Sequence, residues 1–103
     1  MISYARSMAL SAALLLIGGT ALADYQLPPE TATLAPGTNR DLAEGYCSVC
    51  HSVDYITTQP RNLTDPRKFW SAEVNKMRQA YGASIPEEDV GKIVEYLVSA
   101  YGT

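Results

Sequence analysis

The 103-residue sequence predicts an all-α fold, and three observations carry that prediction. Apolar residues recur at helical spacing in two stretches: Trp70, Val74, Met77 and Tyr81, then Val90, Ile93, Val94, Leu97 and Tyr101. Both stretches open on helix-start residues and close on glycine. Nowhere do apolar and polar residues alternate with the period of two that a strand requires, and no repeat or low-complexity segment is present.

Taken in order, residues 1–23 read as a secretory signal peptide. Arg6 is the only charge before Asp24, the apolar run Met8–Gly18 follows it, and Ala21-Leu22-Ala23 forms an A-x-A cleavage pattern. A retained membrane anchor is the rival reading, but the apolar run is shorter than the roughly 20 residues of a comfortable span. With cleavage after Ala23, no membrane span is expected in what remains. Residues 24–37 hold Pro28, Pro29, Pro36 and Gly37 with few periodic apolar positions, and read as an extended arm over the surface. Such an arm is either a loose terminus or a segment that wraps a partner. The folded domain is expected over residues 38–103.

The first helix of that domain is expected to begin near Thr38, with Asp41 three residues later as a loose capping box. It would run through Leu42, Ala43, Gly45 and Tyr46 into Cys47. Gly45 is expected to let the last helix cross closely near Tyr96. Residues 52–64 are polar, β-branched and interrupted by Pro60, and read as a loop. The second helix opens at Asp65-Pro66, an acidic N-cap followed by proline in the first helical position, and ends at Gly82. The third opens at Pro86 with Glu87, Glu88 and Asp89, acids suited to the positive end of the helix dipole, and ends at Gly102.

The chemistry lies in Cys47-Ser48-Val49-Cys50-His51, which contains both cysteines and the only histidine of the chain. C-x-x-C-H is the attachment pattern of a c-type haem. Two thiols three residues apart can each add across a porphyrin vinyl group, and the adjacent imidazole then binds the iron from the proximal side. The competing readings are weaker. A structural zinc site needs four ligands, and two Cys and one His leave it one short. A thioredoxin-like redox pair should follow a strand in a βαβ pattern, which is absent. A simple disulfide would close only a very small loop. Haem c is attached outside the bacterial cytoplasmic membrane, so the export signal and the motif support each other and indicate the periplasm.

Removing the first 23 of 103 residues leaves 80, with seven Lys/Arg and eleven Asp/Glu, a formal charge of −4. That balance argues against nucleic acid or anionic lipid as partner, since both need a basic patch. An acidic surface does permit steering toward basic patches on redox proteins. A chain of this size has a modest core and gains from a staple, which a covalently held apolar cofactor would supply. The haem-free protein is therefore expected to fold poorly.

With no second histidine, bis-His ligation is excluded. Met1 and Met8 leave with the signal, so Met77 is the only methionine of the processed chain. A methionine on an apolar helical stripe is ordinarily core packing, but beside a C-x-x-C-H motif it becomes the leading distal ligand, and His/Met ligation raises a reduction potential. Lys76 as ligand and a five-coordinate iron are the alternatives. Pro60 could offer a carbonyl to the His51 imidazole. Arg61, Asn62, Tyr55 and Trp70 could reach cofactor carboxylates. For Tyr55 and Trp70 the plainer role is packing, and for Arg61 a surface charge.

The stretches Cys47–Ile56 (CSVCHSVDYI), Phe69–Ala83 (FWSAEVNKMRQAYGA) and Ile93–Leu97 (IVEYL) together resemble small monohaem class I cytochromes c. They are most similar to the cytochrome subunit of bacterial sulfite dehydrogenases, and the likeness covers residues 40–102. The resemblance implies three main helices around one covalently attached haem, held by Cys47 and Cys50 with His51 and Met77 as axial ligands. Tyr55 and Arg61 would lie near the subunit interface or the propionates. It also implies a subunit that has no active site of its own, accepts electrons from a molybdenum-cofactor subunit oxidising sulfite, and passes them to another periplasmic cytochrome c. A free-standing periplasmic shuttle with other redox partners is the alternative, and a haem catalyst or gas sensor with an open iron is a third reading that Met77 argues against.

Overall fold

The computed structural model describes Gln26 and residues 28–103. The signal peptide expected over residues 1–23 lies outside the described residues. Four helices follow one another: α1 (Arg40–Cys47), α2 (Asp54–Thr57), α3 (Pro66–Ala80) and α4 (Glu87–Tyr101). The described residues contain no strand, so the all-α expectation holds. None of the described helices is long and apolar enough to cross a membrane.

Helix α4 is the centre of the packing and contacts both α3 and α1. Its buried face is Ile93, Val94, Tyr96, Leu97 and Tyr101, spaced at three and four residues as a stripe requires. Trp70 and Val74 of α3, Ala43 of α1 and Ile56 of α2 close the core against it. Helix α3 starts where its capping residues stand. The Asp65 carboxylate accepts the Lys68 N–H at 2.9 Å, and Pro66 takes the first helical position. A cap of this kind contributes about 1 kcal/mol. The helix stops at Gly82, whose φ of 72° is the left-handed conformation that glycine adopts without strain.

Four local expectations are corrected. Helix α1 does not begin with a Thr38–Asp41 capping box. The chain turns at Gly37, whose carbonyl accepts the Arg40 N–H at 3.2 Å, and Asn39 becomes the N-cap at φ 66° with no side-chain cap bond. The loop expected over 52–64 contains the short helix α2, with the Asp54 N–H bound to the Ser52 hydroxyl at 3.1 Å in its first turn. Tyr81 leaves the buried stripe of α3 and is 72% exposed, because the helix ends one residue earlier. Gly45 has open space where its Cβ would stand. The close approach to Tyr96 is made by Gly37, where an added Cβ would meet the ring at 3.4 Å.

That approach belongs to the proline-rich segment before α1, whose second half packs against the core. Leu34 is only 3% exposed. The backbone of Ala35 is held between two tyrosines of α4: its N–H donates to the Tyr101 hydroxyl at 2.7 Å, and the Tyr96 hydroxyl donates to its carbonyl at 2.6 Å. Arg40 adds a bond from Nε to the Leu34 carbonyl at 3.1 Å. Burial, reinforced by the hydrogen bond with Tyr101, holds the Tyr96 hydroxyl protonated well above the ordinary tyrosine range. Packing therefore starts before residue 38, at Leu34.

Candidate functional site

Helix α1 ends at Cys47, and the three residues after it form a turn that carries Cys50 and hands over to His51. Ser48 caps the helix with its N–H on the Glu44 carbonyl at 3.0 Å and its hydroxyl on the same oxygen at 2.6 Å. Both cysteines are unbridged thiols. Cys47 is half-buried, and that burial pushes its thiol up from the ordinary value, favouring the neutral form. The His51 Nδ1 lies 2.9 Å from the Ser52 carbonyl. A carbonyl can only accept, so Nδ1 carries a proton, and in the neutral ring the lone pair is left on Nε2. Ser52, and not Pro60, thus orients the imidazole. Tyr55 packs on the other side of it, with ring centroids 4.7 Å apart at 46°.

Met77 reaches the same place from the last turns of α3. Its carbonyl accepts the Ala83 N–H at 2.9 Å, so the turn through Gly82 fixes the end of the helix that carries it. Between these elements lies a cavity of about 610 Å³, with Ile56, Val74 and Leu97 among its apolar walls. This is the volume range of cofactor sites, about 300–1,000 Å³. Of the residues singled out from sequence, Cys47, Cys50, His51, Tyr55, Trp70 and Met77 line it, as does Lys76, whose ammonium is paired with Glu73 at 2.6 Å.

Arg61 does not. Its guanidinium lies 4.9 Å from the centroid of the Tyr101 ring and donates to the Ala100 carbonyl at 3.4 Å. There it pins the loop before α3 onto the C-terminal end of α4, where a positive charge suits the helix dipole. Asn62, next to it, has φ 57° and is likewise absent from the cavity wall.

Trp70 is the most telling residue. It is 2% exposed and lines the cavity, yet its indole N–H is buried without a hydrogen-bond partner. An orphaned buried donor costs about 1–3 kcal/mol, and native proteins rarely leave one unmatched. The N–H is itself shielded from the cavity, whose wall another part of the indole forms. The donor set fits a c-type haem. Two thiols, an imidazole with a free Nε2 and a thioether face one apolar space, and the described residues hold no cluster of three or more His, Cys, Asp or Glu that would bind a bare metal ion instead.

The sequence reading missed Gln59, Glu73 and Ile85 in the cavity wall. Glu73 was within reach, since it stands three residues after Trp70 and four before Met77 on the same helical face. Tyr46 lines the cavity as well, and its hydroxyl donates to Asp89 at 3.1 Å, tying α1 to the first turn of α4. Loss of hydration and the Asp89 carboxylate beside it raise the Tyr46 hydroxyl, while Lys92, 2.9 Å from Asp89, holds that carboxyl below the ordinary aspartate range.

No protein-family model matches this chain, and no curated protein does.

Proposed function

We propose that this chain is an exported, single-haem electron-transfer protein of the periplasm. Cys47 and Cys50 would hold a c-type haem through thioethers, with His51 and Met77 as the axial ligands. One observation carries the reading: side chains from the end of α1, the turn after it and the far end of α3 converge on one apolar cavity, and these are the residue types haem c requires. The haem, when bound, supplies one-electron exchange between ferric and ferrous iron.

The remaining work is done by this chain's own residues. Ser52 fixes the tautomer of His51, and the Ala83–Met77 bond holds the end of the helix that presents the thioether. Trp70, Ile56, Val74 and Leu97 give the cavity its apolar wall. The chain has no catalytic group of its own in this reading. Its electron donor, from the resemblance noted above, is the molybdenum-cofactor subunit of a sulfite dehydrogenase, and its acceptor is another cytochrome c.

A second reading, a free-standing shuttle, is favoured by the modest exposed apolar area at the cavity, formed by Tyr55 and Tyr81. One preparation separates the two. Protein exported from a cell with haem-maturation machinery should show one haem per chain that stays attached under denaturing conditions, and Cys47→Ser with Cys50→Ser should abolish it. Absence of covalent haem in the parent chain would end the reading. Stoichiometric molybdenum in the native complex, with sulfite reducing the haem, identifies the subunit. A monomer that stays oxidised in sulfite identifies the shuttle.

A further inference from the structure

Among the described residues that wall the cavity, one is an acid and one carries an ammonium: Glu73 and Lys76. Both stand on α3, and their charged ends meet at 2.6 Å. The other cavity-lining residues of that helix are Trp70, Val74 and Met77. Glu73 is three residues after Trp70 and four before Met77, so the three share one helical face. A helical side chain leans over the turn before its own, which inclines Met77 toward Glu73 and Val74.

Ordinary packing does not account for an acid at this position. A pair three residues apart on a helix contributes little to stability, and an apolar side chain of that size would complete the wall without a charge. The two partners are also unequally shielded: the Glu73 side chain is 26% exposed and that of Lys76 47%. Seating an apolar group in the cavity removes further water, and the field of the carboxylate is then less screened than that of the ammonium.

We propose that Glu73 sets the electron affinity of this site, with Lys76 as its counterweight. The assignment rests on the haem reading and adds to it a determinant of potential beyond the axial ligands. Each reduction adds one electron from an outside donor and leaves the site one charge more negative, with no bond broken and no proton moved. A carboxylate at the wall opposes that change, and an ammonium favours it. Because the acid is the better shielded of the two, the balance lies with Glu73. It holds the site's pull on electrons below what imidazole and thioether ligation alone would give.

The test is a redox titration of the haem-loaded protein against one-electron mediator dyes, read from its absorption spectrum. Glu73→Gln keeps the shape of the side chain and removes its charge. At the midpoint potential of the parent it should raise the ferrous-to-ferric ratio about tenfold, the effect of a unit charge about 10 Å away at an effective dielectric of about 20. Lys76→Gln should lower the ratio by about threefold, less because its charge is more exposed. The double variant should lie between the two. Ratios that move the same way in both single variants, or that stay within about twofold of the parent, overturn the proposal. So does a fall in the ratio for Glu73→Gln, the mark of a freed Lys76 taking the place of Met77.

Glu95→Gln separates a local field from net charge, because Glu95 is exposed on α4 and outside the cavity wall. It should shift the ratio by less than about twofold. A shift equal to that of Glu73→Gln means that any surface acid would serve, and overturns the assignment. A parent chain without covalent haem ends the underlying reading and this one with it, and its absorption spectrum shows that before any variant is made.

Discussion

A chain that begins at Thr38 lacks residues 24–37, the segment that sequence composition marks as a surface arm. The structure predicts a large loss of stability from this deletion. Leu34 is 3% exposed, and burying a leucine side chain contributes about 1.5–3 kcal/mol. The two bonds on the Ala35 peptide, to Tyr101 and from Tyr96, add about 0.5–1.5 kcal/mol each. Their loss also strips partners from two tyrosines that are 1% and 4% exposed. The expected cost is about 3–6 kcal/mol, a large share of the roughly 5–15 kcal/mol that holds a domain together. For a domain of this size it lowers Tm by more than about 12 °C.

The assay is urea unfolding of the haem-loaded protein, followed by fluorescence of Trp70, the only tryptophan. Tyr101→Phe and Tyr96→Phe should each destabilise by about 1 kcal/mol. The double variant should cost less than their sum, because both hydroxyls hold the backbone of one residue, Ala35. A chain beginning at Thr38 that unfolds at the same urea concentration as the parent would refute the reasoning, and would mean that Leu34 and Ala35 pack without contributing.

Three further predictions concern the site and its supports. Met77→Ala should lower the reduction potential and let carbon monoxide bind the ferrous protein, both read optically; its half-buried side chain puts the stability cost near the lower end of the range for such truncations, about 2 kcal/mol. Trp70→Phe deletes the orphaned donor but also cuts back an indole that is 2% exposed, and should destabilise the protein by about 1–3 kcal/mol in urea unfolding; an unchanged midpoint would show that the indole packs without contributing. Asp89→Asn tests the tie between α1 and α4. The Asp89 carboxyl titrates below its ordinary range in the folded state, so its contribution is present above about pH 4 and lost as pH falls through the lowered value. The parent should therefore lose its stability advantage over Asp89→Asn in acid, measured as Tm against pH, and parallel profiles would contradict the assignment.

Much of this was legible in one dimension. Helix α3 could be read because its start depends on residues adjacent in sequence, Asp65 and Pro66, and its inner face on a spacing that any helix imposes. The motif Cys47 to His51 pointed to a haem before any contact was known, since two thiols and an imidazole at that spacing suit few groups; the structure brings Cys47, Cys50, His51 and Met77 to one cavity wall. Arg61 was harder: nothing local distinguishes a guanidinium that reaches a cofactor from one that rests on the Tyr101 ring, and the choice depends on where α4 ends in space.

The sequence alone determined that the chain is helical, where α3 and α4 begin, and which four side chains would have to meet if a haem is held. These are local matters of capping, periodicity and residue chemistry. Only the tertiary structure decided that Leu34 and Ala35 belong to the core, because composition rich in proline looks the same whether the segment hangs free or is gripped by Tyr96 and Tyr101, 61 and 66 residues away. Only it decided that the Trp70 N–H is buried without a partner and that Tyr55 and Tyr81 meet at one cavity. Each of these depends on how the helices cross, and crossing is set by the summed packing of residues far apart in the chain, which no local pattern records.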